Sequence, residues 1–186
     1  MDNNLTLMTD LYQLTMMQGY FESNMHNKKA VFDMFYRKNP SNNGYAITCG
    51  LEQVVDYIKN IKFDDNTINY LKSLNIFKEN FLEYLKDFRF TGDIYAIPEG
   101  TVVFPGEPLV RVKSTIIEAQ FIETTILNII NHQSLIATKA ARVKWAAEGD
   151  VVMEFGLRRA QGPDAGIYGA RAAVIGGCNS ASNVLA

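Results

Sequence analysis

Cysteine is scarce in this chain: of 186 residues, only Cys49 and Cys178 carry thiols. They lie far apart, with no CxxC and no Cys/His ligand spacing, which excludes a disulfide framework and a structural zinc site. Two isolated thiols fit a reducing, cytoplasmic setting. No charge of one sign dominates, since 18 Lys and Arg stand against 20 Asp and Glu. That balance argues against nucleic acid or an anionic membrane as partner, so any anion site must be local. No apolar run reaches membrane-spanning length, and residues 1–8 lack the basic stretch and apolar core of a signal peptide. A soluble protein is expected. Histidine is limited to His26 and His132. His132, on an apolar helix, reads as a satisfied core residue, and no metal-ligating set is assigned.

What is present begins with TDLYQLTMMQGYF. Met8, Leu11, Tyr12, Thr15, Met16, Gly19 and Tyr20 fall at helical spacing with Thr9 or Asp10 available as N-cap, which predicts an amphipathic first helix. Tyr12 is either core or, because Asp10 stands beside it, part of a polar site. Residues 30–37, AVFDMFYR, are aromatic-rich and partly alternating, and the NPSNNG that follows is dense in turn formers. They predict a strand that leaves Arg37 at its end. Leu51, Val54, Val55 and Ile58 mark a helix, and residues 63–90 carry two more helical pieces broken near Asn75. Their alternating charges read as solvent-facing surface.

Residues 92–114, GDIYAIPEGTVVFPGEPLVRVKS, change texture to short β-prone runs separated by Pro-Glu-Gly and Pro-Gly-Glu-Pro. The pattern predicts consecutive short antiparallel strands. Swinging-arm cofactor barrels share it, but Lys113 lies in no hairpin between hydrophobic flanks, so a structural module is preferred. Residues 115–149 then predict a long helical region stopped at Gly149.

The most informative stretch is 151–171, VVMEFGLRRAQGPDAGIYGAR. Residues 151–155 are apolar apart from Glu154 and suit a buried first strand of a parallel α/β layer. Gly156 lets the chain turn. Arg158 and Arg159 offer planar, permanently charged forks suited to phosphate or carboxylate, and Phe155 offers a ring for stacking. Adjacent loop arginines are more commonly surface charge, but placement at a strand end among glycines favours a ligand site. A loop through Gly166, a helix from Ile167 and a polar segment from Cys178 follow. In that segment Asn179, Ser180, Ser182 and Asn183 are either anion-site neighbours or an ordinary turn and cap.

TDLYQLTM, FYRKNP, EFGLRRAQGPD and GGCNSASNVLA, in this order and spacing, resemble nicotinate phosphoribosyltransferase over essentially the whole chain. The resemblance implies an α/β protein of the type II phosphoribosyltransferase kind. Its α+β N-terminal domain would span 1–114, with a β module at 92–114, and residues 115–186 would form a helical connection and the incomplete start of an irregular α/β barrel. The implied reaction joins nicotinate to 5-phosphoribosyl 1-pyrophosphate in NAD salvage, coupled in many members to ATP hydrolysis with magnesium (Mg2+), in a head-to-tail homodimer with shared active sites. Carried over by position, Tyr12 would lie on the pyridine ring from the partner subunit with Asp10 nearby, and Phe155 would stack opposite. Arg158 would be the catalytic group on phosphate or carboxylate, with Glu154 and Arg159 beside it at the substrate, and Arg37 would reach phosphate from the other subunit. Asn183, with Ser180 near it, falls where nicotinamide-using relatives carry an aspartate. An acid substrate fits its absence, because carboxylates repel.

This chemistry needs no Ser/His/Asp constellation, because a pyridine nitrogen is already nucleophilic and requires only alignment and charge stabilisation. A full barrel runs to about 250 residues, far more than 151–186 supplies, and the chain ends in the apolar Val184-Leu185-Ala186. The family's reactive histidine, in an Ala-His-Ser segment, has no counterpart. A truncated or split chain, catalytically incomplete alone, is therefore expected. Nicotinamide or quinolinate as substrate, or a non-catalytic dimerisation module, are the competing readings.

Overall fold

A computed structural model describes residues 4–39 and 44–186, so most of the NPSNNG turn lies outside the described residues. The chain is α/β and divides into two compact units, each assembled from separated stretches. The first takes residues 1–33, 53–95 and 111–126, and the second 34–52, 96–110 and 127–186. These borders divide the chain differently from the expected boundary at 114/115.

In the first unit a 3-10 turn, Leu5–Leu7, precedes helix α1, Leu11–Glu22. Here the expected face is corrected. Leu11, Tyr12, Thr15, Met16 and Gly19 are exposed, and α1 buries Gln13, Leu14 and Met17 instead. The helix is apolar nearly all round, so periodicity offered more than one stripe. The buried one is decided by Gln13, whose carboxamide donates to Glu123 at 3.1 Å and Thr124 at 3.2 Å. A buried amide needs such partners.

Helices α2 (Leu51–Lys59), α3 (Asp65–Ser73) and α4 (Glu79–Lys86) follow the predicted spacing. The break near Asn75 is a residue at φ 55°, the left-handed region that ends helices. Phe63, Phe88 and Phe121 pack edge-on and tilted, with ring centroids 5.2 to 5.7 Å apart, the preferred aromatic geometry. Strands β1 (Lys29–Phe35), β3 (Asp93–Ala96) and β5 (Pro108–Thr115) form a sheet in the order β1-β5-β3.

In the second unit β2 (Ala46–Ile47) pairs antiparallel with β4 (Val102–Val103). The expected run of consecutive paired strands over 92–114 is thereby corrected, because β4 finds its partner in Ala46–Ile47, before α2, and β5 sits between β1 and β3. The predicted long helix is α5, Ile116–Ala146, followed by Glu148 at φ 45° and Gly149 at φ 106°. Its hydroxyls satisfy the other edge of β2. Ile47 N–H donates to Thr138 Oγ1 at 2.8 Å, and Cys49 N–H to Ser134 Oγ at 2.9 Å. Two strand residues rise about 6.7 Å and four helix residues about 6 Å, so one helix turn matches one strand repeat. His132 Nε2 is buried without a hydrogen-bond partner among the described residues, which corrects its reading as a satisfied core histidine.

Candidate functional site

The stretch 151–186 folds as one parallel βαβ unit within the second unit. Strand β6 (Met153–Glu154) pairs parallel with β7 (Ser180–Ala181) in the register Met153↔Ser180 and Glu154↔Ala181, and helix α6 (Pro163–Ile175) joins them. Backbone bonds extend the pairing at both ends, from Asn179 N–H to Val152 O at 2.8 Å and from Ser182 N–H to Glu154 O at 2.9 Å. The Asn179 side chain also ties Val152 N–H and Lys144 Nζ, each at 3.0 Å.

Three expectations shift. Strand alternation turns Val152 and Glu154 inward and leaves Val151, Met153 and Phe155 exposed, so the strand is not buried on both faces. Helix α6 begins at Pro163, three residues before Gly166, because Gly162 at φ 108° makes the turn and Pro163 opens the helix. Ser180 lies in a strand rather than a turn.

The loop from Phe155 to Gly162 leaves the C-terminal end of β6, where parallel sheets present ligand sites. Glu154 Oε1 accepts the Gly156 N–H, while its Oε2 is buried without a partner among the described residues. A 3-10 turn, Leu157–Arg159, carries the arginines. Arg159 donates to Phe155 O at 3.2 Å. Arg158 is exposed and makes no hydrogen bond or ion pair with the described residues. Its fork is therefore free for a planar anion. The Phe155 ring is half exposed.

Asn183 is buried with both ends of its carboxamide engaged, donating to Gly166 O at 3.3 Å and accepting from Leu185 N–H at 3.1 Å. Thus Glu154, Phe155, Arg158, Arg159, Ser180 and Asn183 all belong to the βαβ unit. Arg37 is exposed, two residues past β1, in the segment 34–52 of the same compact unit.

Asp10 and Tyr12 belong to the other unit. Asp10 holds the N-cap position of α1, yet its carboxylate accepts from Thr124 Oγ1 at 2.9 Å rather than capping the helix. The Tyr12 ring is 51% exposed, which sets aside its reading as core, and its hydroxyl accepts from Gln13 Nε2 at 3.0 Å. A half-exposed aromatic ring fixed at one end can stack. Sequence reasoning missed Arg171, which centres an ion-pair cluster with Glu99. The two are 72 residues apart, and no spacing rule links them.

Residues 7–131 match the N-terminal domain family of nicotinate phosphoribosyltransferase. The chain is 49% identical over 185 residues to a nicotinate phosphoribosyltransferase of Bacillus subtilis, spanning 100% of this chain and 38% of that protein. It is 47% identical to one of Mycobacterium tuberculosis over 97% of this chain and 39% of the relative. The crystal structure of human nicotinic acid phosphoribosyltransferase superposes with a TM-score of 0.88 at 35% identity, over 95% of this chain and 36% of the human one. The chain thus spans less than two fifths of the length of these proteins. With a match that covers 7–131 and relatives that continue through the arginine-bearing βαβ unit, the chain belongs to the nicotinate phosphoribosyltransferase family.

Proposed function

We propose that the chain carries part of a nicotinate phosphoribosyltransferase site, which joins nicotinate to 5-phosphoribosyl 1-pyrophosphate and releases nicotinate mononucleotide and pyrophosphate. The observation behind this reading is the exposed, unpaired fork of Arg158 at a parallel strand end, in a chain of this family. The pyridine nitrogen is the nucleophile, so no side chain has to take a proton. The protein must align ring and anomeric carbon and stabilise the cationic ribosyl centre and the departing pyrophosphate. Arg158 supplies charge with bidentate geometry, aided by Arg159 and by Arg37 from the other subunit. Phe155 and the partner copy's counterpart of Tyr12 supply the two faces of a stacking slot, with Asp10 beside the tyrosine. Glu154 shapes the loop through the Gly156 amide, and Ser180 and Asn183 give a neutral wall that suits an acid substrate.

The same reading makes the protein a cytoplasmic homodimer of NAD salvage, with ATP as co-substrate and magnesium. Among the described residues no three His, Cys, Asp or Glu side chains gather into a metal site. Magnesium would therefore be held chiefly on donor phosphate oxygens, as is usual for this ion. Equilibrium binding of nicotinate and of 5-phosphoribosyl 1-pyrophosphate tests the proposal, with nicotinamide and quinolinate as competitors. Arg158→Ala should weaken binding of the pyrophosphate donor roughly tenfold or more, and Tyr12→Ala should weaken nicotinate. Equal competition by nicotinamide would replace the substrate; binding indifferent to both substitutions would leave only an assembly module.

A further inference from the structure

Arg171, in the body of α6, grips Glu99 with both prongs of its guanidinium. Nη1 donates to Oε1 at 2.9 Å and Nη2 to Oε2 at 2.7 Å. Nη2 also bonds Glu52, and Nη1 reaches Gln133 Oε1 at 3.3 Å and Cys49 Sγ at 3.8 Å. Glu99 Oε1 in turn accepts the N–H groups of Gly50 and Leu51 at 2.5 and 3.1 Å, at the start of α2. Burial alone would raise the Glu99 carboxyl, but the hydrogen bonds from Arg171 and Gly50 and the Arg171 charge hold it below its ordinary range. The cluster joins the β2–α2 junction, the turn before β4 and α6.

Helix α6 is held at two further points. At its C-terminal end, a Cβ on Gly176 would lie 2.3 Å from Ala137 O, so the helix backbone rests directly on α5. At its N-terminal end, a Cβ on Gly166 would lie 2.6 Å from Leu157 Cδ1, and Gly166 O accepts from Asn183. Leu157 immediately precedes Arg158 in the same 3-10 turn. Arg171 stands five residues beyond Gly166, about 7.5 Å along a rigid helix. A slide or rotation of α6 therefore carries Gly166, Leu157 and the turn that presents Arg158. An apolar contact in place of the ion pair would permit that slide, whereas a bidentate pair fixes both register and rotation.

We infer that Arg171, through its grip on Glu99, is a positioning residue for the Arg158 anion site. The inference rests on the reading of the 155–162 loop as that site. Pyrophosphate binding, measured by calorimetry, tests it in wild type, Arg158→Ala, Arg171→Met, Arg171→Lys, Glu99→Gln and the double variant Arg158→Ala/Arg171→Met. Arg171→Met and Glu99→Gln should weaken binding roughly three- to thirtyfold. Arg171→Lys, which keeps the charge but not the fork, should recover part of the loss. The double variant should bind no more weakly than Arg158→Ala alone, since a positioning effect vanishes once the positioned group is gone.

Wild-type affinity in Arg171→Met, or losses that add in the double variant, would overturn the inference and leave a purely structural ion pair. If Arg171→Met does not fold, judged by helical circular dichroism, Glu99→Gln combined with Arg158→Ala makes the same comparison. Wild-type pyrophosphate binding that is absent, or untouched by Arg158→Ala, would sink the underlying reading and the inference together. Binding that needs Arg158 but not Arg171 or Glu99 would sink the inference alone.

Discussion

Cys49 is buried beside the Arg171–Glu99 pair, and its thiol is pushed up to about 12, first by burial and then by the Glu99 charge, against the pull of Arg171. An unfolded thiol ionises near 8.5. Stability linked to Cys49 is therefore complete below that value and is lost as pH rises towards 12, because the unfolded chain releases a proton the folded chain retains. Urea unfolding followed from pH 8 to pH 10 should show this decline in wild type, and Cys49→Ala should flatten it. A decline equal in both would remove Cys49 as its source. In native protein at neutral pH, Cys49 should also resist thiol reagents that react once urea is added, since the thiolate is the nucleophile.

Two elements depend on contacts whose loss is easily measured. Ser134 both accepts from Cys49 N–H and donates to Cys49 O, at 2.9 and 3.1 Å. Ser134→Ala would leave two buried backbone groups unpaired and should cost about 1–3 kcal/mol in denaturant unfolding. Gly176→Ala should cost about 1–3 kcal/mol by forcing α6 away from α5, with Ala137 O and Ala140 Cβ standing 2.3 and 2.8 Å from the new methyl group. An unchanged unfolding midpoint in either variant would contradict the packing described.

These elements also mark how far local pattern reaches. Helices α2, α3 and α4 were legible because each carries one apolar stripe and the Asn75 break between α3 and α4 is local. The buried face of α1 was not, because it follows the partners of Gln13 at residues 120–124. The start of α6 was misplaced because Gly166 reads as a loop glycine, whereas its bare Cα serves to admit Leu157. Within the candidate site the arginine loop stood out from composition, but the exposure of Tyr12 and the role of Arg171 depend on distant side chains.

At the scale of the molecule, neither compact unit is a continuous length of chain. A fragment of residues 1–114 would hold β2 and β4 without Ser134, Thr138 or α6, and it would lack residues 115–126 of the first unit. It should show neither a cooperative thermal transition nor the helix content expected of its share of the sequence. A sharp transition would mean that the N-terminal residues fold without the rest.

The bonds from Ile47 to Thr138 and from Cys49 to Ser134 span 91 and 85 residues. At about 5–20 residues per second on a ribosome, β2 waits roughly 5 to 20 s before its helical edge exists. During synthesis those strand amides stay open to water or to a chaperone, so the order of translation, rather than diffusion, sets the earliest moment at which the second unit can close.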